Sequence, residues 1–511
     1  MSMNTRTVNS LRNATSGIVN RVVGLLIPFV LRTIVIRVLG SDYLGLNNLF
    51  TSILQVLNVA DLGFNVAVIY CLYDPLARNS TDEVNCLLNT LRKAYFVIGG
   101  VILIIGIMII PFLPFFINGS YPESINLTIV YVIYLSNTAL DYFVYPQYRV
   151  LLSAMQKLEI TNNISTLVQL ILNAIKVIIL LKFKNYYFYI IFLPITTFLI
   201  SIIVAKYSRN KYSQFYCYGN IRSDQKRDIK KRIFALATQK IGNAISLSLD
   251  NVVISSIMGL TSVAIYGNYF YVNSALSSFV SVCVLSATAS VGNSVVLENK
   301  EWNRNTFNKI NMINQWLMCW TVPSLLCLYQ PFMSMWMGEM YTEDFGFVIL
   351  MVILYYFISS RKIVLMYKDA TGLWWEDRWK PIVGCLINLT LNLSLIRLIG
   401  TKGVVISTII SYALVEIPWE TKVLFKSYFH EGMTDYYKNM LNYLSLCIIT
   451  SIASWKICAL INNNGIWGMI FKGSVCFIVS NCVFFIICFK NKVFQELKLQ
   501  LFKTVMGILK R

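Results

Sequence analysis

Residues 17–40 read GIVNRVVGLLIPFVLRTIVIRVLG, an apolar run long enough to cross a bilayer as a helix although it carries Arg21, Arg32 and Arg37. A helix needs about 20 apolar residues to span the hydrocarbon core, and a charge near its centre costs roughly 2.5–3.5 kcal/mol on insertion scales. The stretch therefore reads as a first membrane span whose arginines need partners or a cargo. At 100° per residue the spacing of Arg21 and Arg32 returns them to within about 20° of one face, roughly 16 Å apart along the axis. One stripe of this helix is cationic from its inner end to past its middle.

The rest of the chain supports a membrane reading. Its 511 residues are 56% hydrophobic and 13% charged, too little polar surface to cover a soluble globule of this size. The net charge of +20 does not imply nucleic-acid binding, because Lys and Arg sit between apolar runs and form no basic module. The first run ends in RVLGSDY with no small-residue cleavage site, so it is expected to stay as a span. Fourteen helices are expected, near 17–38, 44–71, 93–116, 126–149, 159–182, 186–206, 234–258, 262–292, 308–330, 346–366, 381–399, 403–425, 440–461 and 468–489. With the N-terminus inside, the inner segments, among them Lys368, Arg378 and Lys380, hold 31 basic residues and the outer loops hold three. By the positive-inside rule both termini face the cytoplasm.

The basic connection after span six splits the first twelve spans into two sets of six. The expected organisation is a six-helix lobe over 1–206, a basic cytoplasmic linker over 207–233, a second lobe over 234–425, two additional helices over 426–489 and a basic tail over 490–511. One internal echo fits a duplication: Gly40-x4-Gly45-Leu46 follows span one, and Gly259-x4-Ala264-Ile265 follows span seven. Spans five and seven are rich in Asn, Ser, Thr and Gln, which suits helices facing one another or a cavity.

Candidate chemistry is confined to charges inside spans. Arg32, Asp61, Asp141, Lys240 and Asp250 lie deep and are expected to face an interior cavity. Arg37, Arg397, Lys456 and Lys472 lie near helix ends, where snorkelling suffices; Lys176 fits either reading. Glu416 and Glu420 bracket Pro418 and are expected to be wet at the inner interface. Pro28, Pro146, Pro194, Pro323 and Pro418 each permit a bend. Twelve cysteines without a CxxC pair read as small hydrophobes, and the single histidine, His430, offers no His-based metal site or triad. No phosphate loop of the GxxxxGK[ST] type occurs, and the longest outer loop, QPFMSMWMGEMYTEDFG, holds neither His nor base. No catalytic residues, cofactor or metal are therefore expected.

The segments YLGLNNLF, DLGFNVAVIYCLYDPLA, YRVLLSAMQKLEI, QKIGNAISLSLDNVVIS, IYGNYFYV and YKDATGLWWEDRWKPIVGCLINLTLNLSLIRLIGTKGVVISTIIS resemble the Wzx-type oligosaccharide flippases of the multidrug/oligosaccharidyl-lipid/polysaccharide exporter superfamily, from about residue 8 to about residue 430. The resemblance implies an all-α bundle of two six-helix lobes in a V (MATE/MurJ-like) that opens alternately to each side of a bacterial cytoplasmic membrane. It implies a cargo of undecaprenyl-pyrophosphate-linked oligosaccharide, and partners among the polymerase and glycosyltransferases of the same pathway. It places the family's basic and acidic positions on Arg32, Asp61, Lys240 and Asp250, and an inner mouth on Tyr148, Arg149, Gln156 and Lys157. Tyr73-Asp74-Pro75 stands where relatives often read Tyr-Lys-Pro. Guanidinium groups suit phosphate oxygens through paired, charge-assisted hydrogen bonds. The expected cargo ligands are Arg21, Arg32, Lys240, Arg361 and Lys362, with Asp61, Asp141 and Asp250 orienting charges or coupling an ion. A drug/cation antiporter, a peptidoglycan lipid flippase, a membrane glycosyltransferase and a scaffold are the alternatives.

Overall fold

The computed structural model describes residues 3–58, 64–119, 121–221, 248–461 and 465–499. Helices account for nearly all of them, as the bilayer requires, because only a helix or a closed barrel satisfies its own backbone polar groups in lipid. Nine helices among the described residues are long and apolar enough to cross a membrane, and one bent pair makes a tenth. The chain is an all-α, multi-pass membrane protein. The described residues form two compact units, divided at Ala264 and Ile265, within a helix and not in the basic linker.

The first unit holds α1 (Met3–Val38), α2 (Ser41–Leu57), α3 (Phe64–Ala77), α4 (Thr81–Ile109), α5 (Leu127–Phe143), α6 (Pro146–Ala154), α7 (Leu158–Phe183), α8 (Tyr186–Ile190), α9 (Phe192–Lys211) and α10 (Ser248–Met258). The expected second span is α2 and α3, on either side of residues outside the description, and the expected seventh is described only as α10. The polar residues of the expected fifth span pair with the first helix. Asn20 on α1 donates to Thr166 at 2.8 Å and to the Asn162 carbonyl at 3.3 Å on α7, and Asn13 accepts from the Glu159 backbone at 2.8 Å.

Small residues set the close approaches. Gly40 and Gly259 both adopt positive φ, 112° and 88°, so both glycines of the internal echo hold a backbone conformation that other residues rarely adopt. A Cβ on Gly45 would sit 2.2 Å from the Leu260 carbonyl oxygen, whereas one on Gly24 meets nothing within 4 Å. Gly45→Ala should therefore destabilise the first unit by ~1–3 kcal/mol through overpacking, and Gly24→Ala should not. Thermal unfolding of the two variants in detergent checks this; equal midpoints would mean that α2 has room to shift.

The second unit holds most of α11 (Leu260–Leu297), then α12 (Lys300–Met337), α13 (Phe345–Ser360), α14 (Lys362–Thr371), α15 (Lys380–Ile399), α16 (Thr401–Ser411), α17 (Ile417–Leu424), α18 (Thr434–Ala459) and α19 (Ile466–Cys488). Wide π turns at Tyr412–Glu416 and Phe425–Phe429 flank α17. Helix α12 carries Asn303, Asn311, Asn314 and Gln315 buried, which is tolerable because it packs against α13, α18 and α19 and not only against lipid. Asn314, for instance, donates to the Ser359 carbonyl at 3.1 Å. The two additional C-terminal helices thus rest on α12.

Candidate functional site

Three groups of charges are built into the helices, two in the first unit and one in the second. The first lies where α1, α2, α7 and α8 meet. Arg32, half-buried on α1, donates from Nη2 to Asn48 Oδ1 at 3.0 Å, and Asn48 donates in turn to the Val263 carbonyl at 3.3 Å. Lys176 on α7 is buried, with Nζ 4.6 Å from the ring centroid of Tyr189 on α8. Tyr189 stacks on Tyr186, whose hydroxyl lies 3.1 Å from that of Tyr134. One cation, Lys176, therefore lies over an aromatic ring inside membrane-spanning helices, and a second, Arg32, sits on the neighbouring α1.

Among the described residues no carboxylate lies within ion-pairing distance of Lys176. A buried ammonium without an anion carries a large desolvation cost, so this position favours an anionic visitor. The sequence reading left Lys176 undecided, although Gln169, Asn173 and Lys176 recur at i, i+4 and i+7, the spacing of one helix face. Tyr189, whose ring lies under the Lys176 ammonium, has no sequence signal of its own.

The second group sits at the break between α5 and α6. Pro146 lacks a backbone donor and Tyr145 before it is left-handed at φ 54°. The two helices bend by 52°. In a straight helix Asp141 and Arg149 would be about 12 Å apart, yet across the bend they pair at 3.0 Å, and Arg149 also donates to Ser201 at 2.6 Å. Neighbouring Gln147 and Tyr148 line a cavity of about 310 Å³ with Arg92 and Arg209. Lys157 lies 3.8 Å from Glu159. Because Asp141 is half-exposed, Asp141→Asn should cost no more than ~1 kcal/mol. A larger loss in thermal unfolding would show that the pair holds the bend.

The third group, in the second unit, is a closed network of six buried charges. Arg361, between α13 and α14, donates from Nε to Glu420 at 3.0 Å and from Nη2 to Glu416 at 3.1 Å, with its guanidinium 4.9 Å from the Tyr412 ring centroid. Lys380 at the start of α15 lies 3.1 Å from Glu416 and 3.5 Å from Asp377, and also bonds Glu420. Lys368 pairs with Asp377. All six are buried, which corrects the expectation of wet glutamates at 416 and 420. The π turn at 412–416 presents Glu416, and Gly384 leaves the space it needs: a Cβ there would lie 2.7 Å from its Oε1. Three cations meet three carboxylates, so in this arrangement Arg361 is already neutralised by the protein.

The remaining expected residues are dispersed. Arg21 is exposed on α1, Asp250 is buried on α10, and Lys362 donates to Ser281 at 2.8 Å. Asp61 and Lys240 lie outside the described residues. Asp74, at the Tyr73-Asp74-Pro75 departure, is exposed and pairs with Arg78.

The sequence profile of the family described as "Polysaccharide biosynthesis protein" matches residues 10–289. No curated protein matches the chain in sequence. Among solved structures the fold is similar to a lipid II flippase MurJ in an inward closed conformation, with TM-score 0.68 and 14% identity over 93% of this chain and 98% of that one. It is similar as well to an inward-facing multidrug resistance MATE family transporter of the MOP superfamily (TM-score 0.59, 11% identity, 77% and 92% covered). A Vibrio cholerae MATE transporter gives TM-score 0.54 at 14% identity, with 84% and 100% covered.

Proposed function

Because the chain belongs to the polysaccharide biosynthesis protein family, we propose that it is a flippase that moves undecaprenyl-pyrophosphate-linked oligosaccharide units from the cytoplasmic to the outer leaflet by alternating access, without covalent chemistry. The observation that carries this reading is the pair of cations within membrane-spanning helices, Arg32 on α1 and, on the adjoining α7, buried Lys176 over the Tyr189 ring. A pyrophosphate crossing hydrocarbon needs fixed positive charge, and a guanidinium with an ammonium supplies it where water is scarce. An aromatic ring beside them suits the carrier's isoprenoid stem or a sugar face. Lys240 and Arg21 extend the same cationic path in this reading, while Arg149 and Lys157 serve the cytoplasmic entrance and Asp250 and Asp61 orient the bases. A drug antiporter for cations fits less well, since a buried cation repels such cargo.

The test is the leaflet distribution of undecaprenyl-pyrophosphate-linked units in cells depleted of the protein. Complete units accumulating on the cytoplasmic side are expected; their absence would indicate a role in synthesis, and their normal presence outside would refute transport of this cargo. The second reading, a peptidoglycan lipid flippase, draws on the similarity to the lipid II flippase over nearly the whole chain. Rescue of cells that lack their own peptidoglycan lipid flippase would favour it.

A further inference from the structure

We infer that Cys327, Cys458 and Cys476 form a thiolate site for a soft divalent metal ion of the Zn²⁺ class in the second unit. The three residues come from α12, α18 and α19, and their sulfurs all lie within 4.8 Å of one another. Cys458 and Cys476 are 3.8 Å apart. Three thiolates at ~2.3 Å from one ion stand roughly 3.8–4.0 Å from each other, so small rotations of side chains already in place would close the site. All three are buried, and Cys458 lies in the last turn of α18, near the end of that helix.

Two further groups suit an ion there. Ser454 precedes Cys458 by one helical turn, and its buried hydroxyl faces the Cys476 thiol. Its oxygen is a candidate fourth ligand or a support for a bound water. Lys472, expected from sequence to snorkel, is instead buried; its carbonyl accepts from Cys458 at 3.7 Å and its ammonium charge acts on that thiol. Binding breaks three S–H bonds, releases three protons and forms three metal–sulfur bonds, leaving a complex of charge −1. The Lys472 ammonium brings the cluster to neutrality, which a low-dielectric interior favours. Binding at this site would tie the two C-terminal helices to α12.

The full-length protein, purified in detergent without chelator, is titrated with Co²⁺ and with Zn²⁺. The expected result is one Co²⁺ per chain with a sulfur-to-metal charge-transfer band in the near ultraviolet, displaced by Zn²⁺. Cys476→Ser should lose the band. Cys319→Ser should keep it, since Cys319 belongs to a separate pair with Cys447, 3.4 Å away. Should Cys476→Ser fail to fold, protection of the three thiols from alkylation by Zn²⁺ in the unsubstituted protein, mapped by mass spectrometry, reads the same site. Folded protein with neither band nor protection overturns the assignment, as does a Cys458–Cys476 disulfide in freshly purified, unreduced material.

Discussion

Arg361→Met is expected to destabilise the second unit by about 3–5 kcal/mol, because it leaves Glu416 and Glu420 buried with only Lys380 to share between them. Deleting one member of a buried ionic cluster costs more than the pair itself contributes, since the surviving charge cannot be rehydrated. Glu420→Gln should be damaging for the converse reason, leaving three cations against two anions. Combining the two restores balance, with Lys368 and Lys380 against Asp377 and Glu416. The double variant should therefore unfold at a higher temperature than additivity predicts, by a coupling of ~1–3 kcal/mol. Thermal unfolding in detergent of the two singles and the double closes the cycle. Losses below about 1 kcal/mol in each single would mean that water or lipid headgroups reach the cluster, and that it behaves as an exposed one.

That network shows where the sequence is legible and where it is not. Arg361 stood out as a base inside an apolar run, and Glu416 and Glu420 as an acidic pair one turn apart. Nothing in the linear order said that they met, because they are separated by 55 and 59 residues and no local spacing rule reaches that far. Placing Arg361 against cargo and the glutamates against water followed from reading each alone. Helix positions fared better because their cause is local. Apolar runs of about 20 residues force helix in lipid, so α7 and α19 begin and end close to expectation, while α9 and α18 are displaced from it at their starts. The glycine echo was also legible, since Gly40 and Gly259 take up a backbone conformation that only glycine adopts freely. The bend after α5 was foreshadowed by Pro146, but Pro28 and Pro323 sit inside uninterrupted helices. The cationic pair was half legible: Arg32 by its depth, Lys176 only once the fold brought Tyr189 over it.

Lys176→Met is expected to separate stability from function. Methionine keeps most of the volume of lysine and removes a buried charge that has no carboxylate partner among the described residues. Removing an unpaired buried charge removes its desolvation cost, so the variant should insert normally and unfold at an equal or higher temperature. Translocation should nevertheless fall. A charge-assisted hydrogen bond to phosphate contributes about 1.5–3 kcal/mol, and each 1.36 kcal/mol is tenfold in rate. Loss of Lys176 should therefore slow flipping by roughly 10- to 100-fold, and Arg32→Ala should do at least as much because it also leaves Asn48 without its donor. Arg32→Lys keeps the charge but not the planar fork, and should fall between the two. The measurement is the rate at which a polyprenyl-pyrophosphate saccharide becomes accessible on the far side of proteoliposomes, taken beside the melting temperature of the same preparation. A stable Lys176→Met protein that flips at the original rate would show that the lysine is only a packing residue. An unstable one would show that an anion of the protein itself pairs with it. Stability kept with flipping lost is the outcome that only a cargo-binding cation produces.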